Sequence, residues 1–288
     1  MRPWKKAQVG LLLVTSTLLC LAGSQHPNLK AQPNNGDLTV TPVTEIDQST
    51  FNGQLAGHSK PAIAAEWPAS YYGMTGYLVC SATLIGPRTI ITAAHCVGDN
   101  KRITIYSKTG APLTGICHQN DAYRKGDSSA EYALCLMDSR VQVPRYESVL
   151  IDPGKLKVHQ QLLATGYGCT VTGGAPKTNQ MAIGPMWVGQ LAGYDASSPN
   201  LMATSYNPDS AFLCDGDSGG ATYIGAEGGA RVVAAINAAV DSPAKISYLA
   251  PLSTPIAVSF LKKWATTSGQ EICGVSAGLA QCVTPPPP

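Results

Sequence analysis

The sequence predicts an all-β fold, a barrel or a sandwich, that ends in one helix. Short runs with strand-forming composition recur along the chain, and Gly-Pro and Gly-Gly pairs separate them, while helical periodicity is confined to the end. The predicted strands span residues 77–85, 89–93, 102–106, 133–137, 161–167, 186–191, 221–224 and 232–236. Many short strands with few helices are typical of barrels and sandwiches.

The first 24 residues have the features of a cleaved signal peptide. Three basic residues precede an apolar run at 9–21, and small residues follow it at 22–24. We therefore expect a secreted protein, either extracellular or periplasmic. A membrane anchor is the alternative, but the apolar run is short for a bilayer. A lipid anchor at Cys20 is disfavoured because the preceding residue, Leu19, is large.

The ends of the mature chain differ from its middle. Residues 25–49 are polar and contain several prolines, so we interpret them as a propeptide or flexible leader. A helix is predicted over 254–266, because Pro255 suits a first helical position and an apolar stripe follows at helical spacing. Residues 267–288 form a tail that ends in four prolines, and these predict an extended end.

Charge and cysteine content exclude several functions. The net charge is only +2 and no basic stripe occurs, which argues against nucleic-acid binding. Eight cysteines remain after the signal segment, and their even number behind a secretion signal predicts disulfides in one of 105 possible pairings. No C-x-x-C spacing occurs, so a zinc site is not expected.

Two short motifs suggest nucleophilic catalysis. Thr-Ala-Ala-His-Cys at 92–96 contains His95, and Gly-Asp-Ser-Gly-Gly at 216–220 contains Ser218. A serine hydroxyl is a weak nucleophile that needs an adjacent base, and histidine suits that role because its pKa lies near working pH. Glycines around the serine let a substrate approach the backbone closely. His95 is the candidate general base and Ser218 the candidate nucleophile.

These motifs, in this order, resemble those of the trypsin/chymotrypsin family of serine proteases, and the resemblance covers roughly residues 50–266. It implies two six-stranded antiparallel β-barrels, at about 50–150 and 160–252, followed by the helix. An extended peptide or protein substrate would bind between them. The backbone N–H groups of Gly216 and Ser218 would form the oxyanion hole, which stabilises the tetrahedral intermediate.

The acid of the triad departs from the family pattern. The family places an aspartate before a short strand, and this chain has Glu131 there, before Tyr-Ala-Leu-Cys at 132–135. A glutamate can orient the histidine, as it does on other folds. Glu131 is therefore the favoured acid, with Asp127 and Asp138 as the alternatives.

Asp217 is the residue that the family links to activation. There, the buried aspartate pairs with a new N-terminal ammonium after an activating protease has cut the precursor. The nearest match to the usual Ile-Val-Gly-Gly start is Thr-Phe-Asn-Gly at 50–53, which begins with Thr50. Because this match is poor, the partner of Asp217 stays open.

The resemblance also bears on disulfides. It pairs Cys80 with Cys96 beside the histidine motif, and Cys169 with Cys214 across two active-site loops. Two further pairs, Cys117–Cys135 and Cys273–Cys282, are expected as local closures.

The residues at the primary specificity pocket are unlike those of trypsin. Phe212 occupies the position six residues before Ser218, and Leu213 follows it. The segment that would pair with substrate backbone is Asn237, Ala238 and Ala239. Without a carboxylate, the pocket favours a small or medium apolar P1 side chain over Lys or Arg. The alternative is that Phe212 packs in the core and occludes the pocket.

Together these observations predict a monomeric secreted serine endopeptidase without metal or organic cofactor. The alternative is a catalytically weak or inactive secreted binding protein on the same fold. That alternative is motivated by Glu131, by the missing start motif and by the unusual pocket.

Overall fold

The computed structural model describes residues 56–57, 59–75, 78–107, 112–170, 174–178, 180–193 and 198–287. The predicted signal peptide, the leader and the expected start at Thr50 lie outside these residues. No helix in the described ranges is long and apolar enough to cross a membrane.

The first half of the domain is a closed antiparallel barrel. Two short strands precede it, β1 (Ala56–Gly57) and β2 (Lys60–Pro61). The barrel strands are β3 (Ser70–Thr75), β4 (Leu78–Gly86), β5 (Thr89–Thr92), β6 (Lys101–Tyr106), β7 (Leu113–Gln119) and β8 (Ala133–Met137). They close in the order β3-β4-β5-β8-β7-β6.

The second half is also a six-stranded antiparallel barrel. Its strands are β9 (Gln161–Gly166), β10 (Ala182–Gln190), β11 (Met202–Ser205), β13 (Ala221–Gly225), β14 (Arg231–Asp241) and β15 (Ile246–Pro251). The order is β11-β15-β14-β13-β9-β10, and the pairing of β10 with β11 closes it. The remaining strand, β12 (Ala211–Phe212), pairs with β1. The predicted pair of barrels is confirmed.

Two α-helices occur in the described chain, the short α1 (Asp121–Arg124) and the terminal α2 (Pro255–Ser268). The Thr254 side chain accepts a hydrogen bond from the N–H of Ala257, and Gly269 ends α2 in a left-handed conformation at φ 65°. The apolar stripe of α2 is buried through Ala257, Leu261 and Trp264. These local signals explain why the predicted helix agrees with α2 to within two residues.

Four barrel strands are absent from the sequence-based prediction: β3, β7, β11 and β15. Glycine interrupts two of them, at Gly73 and Gly115. At Gly115 a Cβ atom would lie 2.6 Å from the carbonyl oxygen of Leu136, so the close approach of β7 to β8 requires glycine. The residue that weakens the strand pattern in sequence is thus needed for the barrel.

The C-terminal tail is fastened to the second barrel. The carbonyl of Thr284 accepts a hydrogen bond from the N–H of Arg231 at 3.1 Å, and Val283 is buried. The hydroxyl of Ser148 also donates to the carbonyl of Val283. The predicted extended end is therefore packed against the protein at least to Thr284.

Candidate active site

His95 lies in a 3₁₀ turn, Ala94–Cys96, directly after β5. Its neighbours Ala94 and Cys96 are buried, while its own side chain is 37% exposed. The Cys80–Cys96 disulfide ties this turn to β4. The packing of the turn therefore presents the imidazole to solvent from a fixed backbone.

Glu131 contacts His95 directly. Its Oε1 accepts a hydrogen bond from the backbone N–H of His95 at 2.7 Å and lies 3.0 Å from Nδ1. A carboxylate in this place favours a proton on Nδ1, which leaves Nε2 free to act as a base. Sequence reasoning placed Glu131 here, and it is the carboxylate that the structure brings to His95.

The two alternative acids are occupied elsewhere. Asp127 caps a 3₁₀ turn by accepting from the N–H of Ser129 at 3.0 Å. Asp138 forms an exposed ion pair with Arg102 at 2.5 Å on the side of the barrel. Neither carboxylate hydrogen-bonds His95 in the described structure.

Two residues that the sequence did not point to, Gln119 and Tyr123, support His95 and Glu131. The carboxamide of Gln119 donates to the carbonyls of Ala94 and Val97, at 2.9 and 2.8 Å, and so brackets the turn of His95. The hydroxyl of Tyr123 donates a hydrogen bond to the Glu131 carboxylate. Burial raises the pKa of Tyr123 to about 12, and the charge of Glu131 and this hydrogen bond add to the shift.

Gln119 is the last residue of β7, and Tyr123 lies in the connection from β7 to β8. The Cys117–Cys135 disulfide joins directly paired residues of these strands, and the N–H of Asn120 donates to the carbonyl of Tyr132. No motif marks Gln119 or Tyr123, because their roles depend on a loop closure that sequence does not reveal.

Ser218 approaches His95 across the two barrels. Its carbonyl oxygen accepts a hydrogen bond from the N–H of Ser81 at 2.7 Å and lies 3.7 Å from Sγ of Cys96. The same Sγ atom lies 3.7 Å from Nε2 of His95. The Ser218 backbone and the imidazole thus flank one disulfide sulfur. The hydroxyl of Ser218 and Nε2 are not hydrogen-bonded to each other in the described chain; such contacts commonly tighten only when substrate binds.

Gly216 has a backbone that other residues disfavour. Its φ is +97°, and a Cβ atom there would lie 2.8 Å from Pro176. The carbonyl of Asp215 accepts from the N–H of Cys169 at 2.9 Å. Because N–H and C=O of a trans peptide point in opposite directions, the N–H of Gly216 faces away from Cys169. Within the described ranges neither Gly216 nor Ser218 uses its N–H in a hydrogen bond.

Asp217 is fully buried behind these donors. Its carboxylate accepts from the N–H of Gly168 at 2.8 Å and of Cys214 at 2.9 Å. Burial raises the pKa of Asp217 to about 7, although the two N–H groups oppose this shift. A Cβ atom on Gly166 would lie 2.0 Å from the Asp217 carboxylate, so this strand end requires glycine. Asp217 forms no ion pair with a described residue.

The predicted pocket residues separate into two groups. Leu213 is buried and packs in the core of the second barrel with Ala211. Successive side chains of an extended segment point to opposite faces, and Phe212 between them is directed away from that core. Phe212 is 6% exposed.

The side chain of Asn237 is also occupied by contacts within the protein. It is fully buried; its carboxamide accepts from the hydroxyl of Thr222 and donates to the carbonyls of Thr165 and Asp217. Asn237 therefore holds the carbonyl of Asp217, the residue that precedes the nucleophile. Ala238 is buried and Ala239 is half-buried beside it, at a register shift between β14 and β15.

The described residues form four disulfides, in the pairs Cys80–Cys96, Cys117–Cys135, Cys169–Cys214 and Cys273–Cys282. These are the pairs expected from sequence. Cys80, His95 and Cys96 cluster closely enough to suggest a metal site, but both sulfurs are used in one disulfide and offer no thiolate.

Known proteins share this architecture. The sequence profile of the Trypsin family matches residues 54–264. A crystal structure of the scabies mite inactivated protease paralogue S-D1 superposes with a TM-score of 0.59 at 12% identity, covering 74% of this chain and 99% of that one. A Glu endopeptidase in complex with MPD gives a TM-score of 0.55 at 18% identity, covering 74% and 100%. At these identities the two structures speak for the fold alone, whereas the profile match spans most of the sequence: the chain belongs to the trypsin family.

Proposed function

We propose that the protein is a secreted serine endopeptidase that acts through Ser218, His95 and Glu131. Ser218 Oγ attacks the scissile carbonyl while its proton passes to Nε2 of His95. The imidazolium then protonates the leaving amine, and water hydrolyses the acyl-enzyme by the reverse proton route. The observation that carries the proposal is the double contact of Glu131 Oε1 with the backbone N–H and Nδ1 of His95.

The tetrahedral intermediate would be stabilised by the N–H groups of Gly216 and Ser218. Both belong to a segment in which the carbonyls of Asp215, Gly216 and Ser218 are already bonded, so they are preorganised for a developing negative charge. Removal of one such donor costs about 10²- to 10³-fold in kcat in related chemistry.

An active-site probe tests the proposal. A fluorophosphonate should label the secreted, processed protein, and Ser218→Ala should abolish the label. Glu131→Gln should lower kcat by about 10⁴-fold, because a neutral side chain no longer stabilises the imidazolium. Asp127→Asn serves as the matched control and should retain kcat. Equal losses in the two acid variants would remove Glu131 from the mechanism.

The pocket supports a preference for small or medium apolar P1 residues. Phe212 and Ala238 carry no charge that could bind a Lys, Arg or Glu side chain. The acidic preference implied by the name of the Glu endopeptidase is therefore not carried over. A peptide library should show apolar P1 residues in wild type and larger ones in Phe212→Gly. A profile dominated by Arg or Lys would contradict the proposal.

Asp217 is proposed as the residue that senses activation. A new N-terminal ammonium would favour its ionised form and order the loop that carries Gly216 and Ser218. β1 supports this route, since Ala56 pairs with Phe212, five residues before Asp217 in the chain. N-terminal sequencing of the secreted protein, beside an activity assay, locates the cut relative to Thr50. We expect a monomer whose partners are protein or peptide substrates and an activating protease.

The second candidate is an inactive binding protein on this fold. It is favoured by one observation, the missing hydrogen bond between the Ser218 hydroxyl and Nε2 of His95 in the described chain. Processed protein that takes no fluorophosphonate label yet still binds a protein ligand would support this candidate.

A further inference from the structure

Ser81 lies where the first barrel meets the segment Cys214–Ser218, which we call the oxyanion loop. It is part of β4 and is 2% exposed. Its N–H donates to the carbonyl of Ser218 at 2.7 Å. Its hydroxyl contacts the carbonyl of Gly216 at 2.9 Å and the N–H of Tyr167 at 2.9 Å. One side chain therefore joins the first barrel, the oxyanion loop and the end of β9.

The direction of these hydrogen bonds follows from chemistry alone. The N–H of Tyr167 can only donate, so the Ser81 oxygen accepts there. The carbonyl of Gly216 can only accept, so the single hydroxyl proton of Ser81 points to it. The single O–H donor of Ser81 is used and its oxygen accepts one hydrogen bond, so the hydroxyl has one orientation.

The two carbonyls held by Ser81 belong to the two residues whose N–H groups we assign to the oxyanion hole. Holding the carbonyl of Gly216 fixes the peptide that follows it, and holding the carbonyl of Ser218 does the same on the other side of the nucleophile. The peptides held in this way carry the N–H groups of Asp217 and Gly219, so Ser81 acts on the N–H groups of Gly216 and Ser218 through the peptides that adjoin theirs.

Ser81 acts together with Asp217. Three consecutive N–H groups serve the oxyanion loop: Tyr167 donates to Ser81 Oγ, Gly168 to the Asp217 carboxylate, and Cys169 to the carbonyl of Asp215. The oxyanion loop is thus held by Ser81 of the first barrel and by backbone N–H groups that follow β9.

We infer that Ser81 is a positioning residue that holds the oxyanion loop in its substrate-ready form. The inference rests on the proposed function and names a residue that stabilises the transition state through Gly216 and Ser218 without touching the substrate. Removing the hydroxyl leaves a buried carbonyl and a buried N–H unpaired, and the loop can relieve this only by moving. A displacement of about 1 Å costs on the order of 100-fold in rate.

The test compares Ser81→Ala with Ser148→Ala. Ser148 is also buried and also donates its hydroxyl to a backbone carbonyl, that of Val283 at 2.6 Å, but it lies away from the oxyanion loop. We expect Ser81→Ala to lower kcat between about 10- and 100-fold with KM within about twofold. Its affinity for a peptide aldehyde, which forms the oxyanion, should fall by the same factor. Ser148→Ala should lower Tm only, and Ser81→Thr, which keeps the hydroxyl, should recover most of kcat.

A Ser81→Ala variant that loses Tm as Ser148→Ala does, yet keeps kcat and aldehyde affinity, would overturn the inference. Amide hydrogen exchange separates this outcome from failure of the proposed function. The amide of Tyr167 and those of the oxyanion loop should exchange at least tenfold faster in Ser81→Ala than in wild type or Ser148→Ala, whether or not the protein is active. If wild type takes no fluorophosphonate label, the protease proposal fails, and unchanged exchange in Ser81→Ala would show that Ser81 does not hold the loop either.

Discussion

Two fully buried carboxylates, Glu147 and Asp217, are held in opposite ways. Glu147 lies in the connection between the barrels and faces the guanidinium of Arg231, which donates through Nη2 at 2.6 Å and Nε at 3.0 Å. Asp217 lies under the oxyanion loop and receives two backbone N–H groups. The first carboxylate has a full positive charge beside it, and the second has only peptide dipoles.

The difference separates a structural acid from a responsive one. Arg231 also donates to the carbonyl of Glu66 at 2.8 Å and stacks on Trp67 at 4.0 Å, so the ion pair joins three parts of the chain. Burial raises the pKa of Glu147, and the hydrogen bond and charge of Arg231 oppose that shift. No described cation lowers the pKa of Asp217, so its ionisation depends on whether a positive charge comes close to it.

The largest expected effect comes from breaking the structural pair. Glu147→Gln keeps the shape but leaves the charge of Arg231 buried and uncompensated, which should reduce the free energy of unfolding by about 3–5 kcal/mol. Chemical denaturation with the disulfides intact measures it. As the control, Asp138→Asn removes the exposed partner of Arg102 and should cost less than about 1 kcal/mol.

A double variant sharpens the same point. Glu147→Leu with Arg231→Met removes both charges, and similar substitutions elsewhere are neutral or stabilising. We expect it to recover most of the stability lost in Glu147→Gln. If Glu147→Gln and Asp138→Asn lowered the free energy of unfolding equally, the buried ion pair would contribute no more to stability than the exposed one.

Asp217 should instead make the precursor sensitive to pH. Its pKa rises from 3.8 to about 7 on folding, so the folded state binds a proton more tightly than the unfolded state. The stabilising effect of the protonated form is complete below pH 4 and is lost as pH rises to about 7. One pKa unit corresponds to about 1.4 kcal/mol, which gives a loss of up to about 4 kcal/mol.

Denaturation of the precursor between pH 4 and 8 checks this, with Asp217→Asn as a variant that cannot titrate there. As the pH rises, the free energy of unfolding of the wild type should fall relative to that of the variant. Parallel dependence on pH in the two proteins would contradict the assignment. Processing should flatten the wild-type curve if a new ammonium reaches Asp217, since a cation lowers the pKa of a carboxyl. Asp217 would then resemble Glu147.

The contrast also marks what the sequence could predict. Thr254-Pro255 and the apolar stripe of α2 are local signals, and the helix was predicted from them. His95 and Ser218 lie in motifs whose residue types follow from their chemistry. Glu147 and Arg231 are 84 residues apart without a motif, and their pairing exists only once both barrels have closed.

The specificity pocket is hard to predict for a different reason. Phe212 is assigned to it by its position relative to Ser218, Leu213 because it follows Phe212, and Asn237 because it follows a predicted strand, but the direction of a side chain depends on the face of the strand. Leu213 points into the core of the second barrel, and Asn237 is used by Thr222, Thr165 and Asp217. No motif marks Ser81, because the oxyanion loop and Tyr167 reach it only in three dimensions.

The smallest expected effect concerns a third carboxylate, Glu131, which lies between the two extremes. Its side chain is 10% exposed and contacts His95 and the hydroxyl of Tyr123. Tyr123→Phe should lower kcat by up to about tenfold, the equivalent of one hydrogen bond. Because a carboxylate with one donor fewer attracts the imidazolium more strongly, the acidic limb of the kcat/KM profile should also move to higher pH. Tyr146→Phe, which removes a remote hydroxyl bonded to Val141, should leave both unchanged. An unshifted profile in Tyr123→Phe would make Tyr123 a packing residue and leave Glu131 oriented by His95 alone.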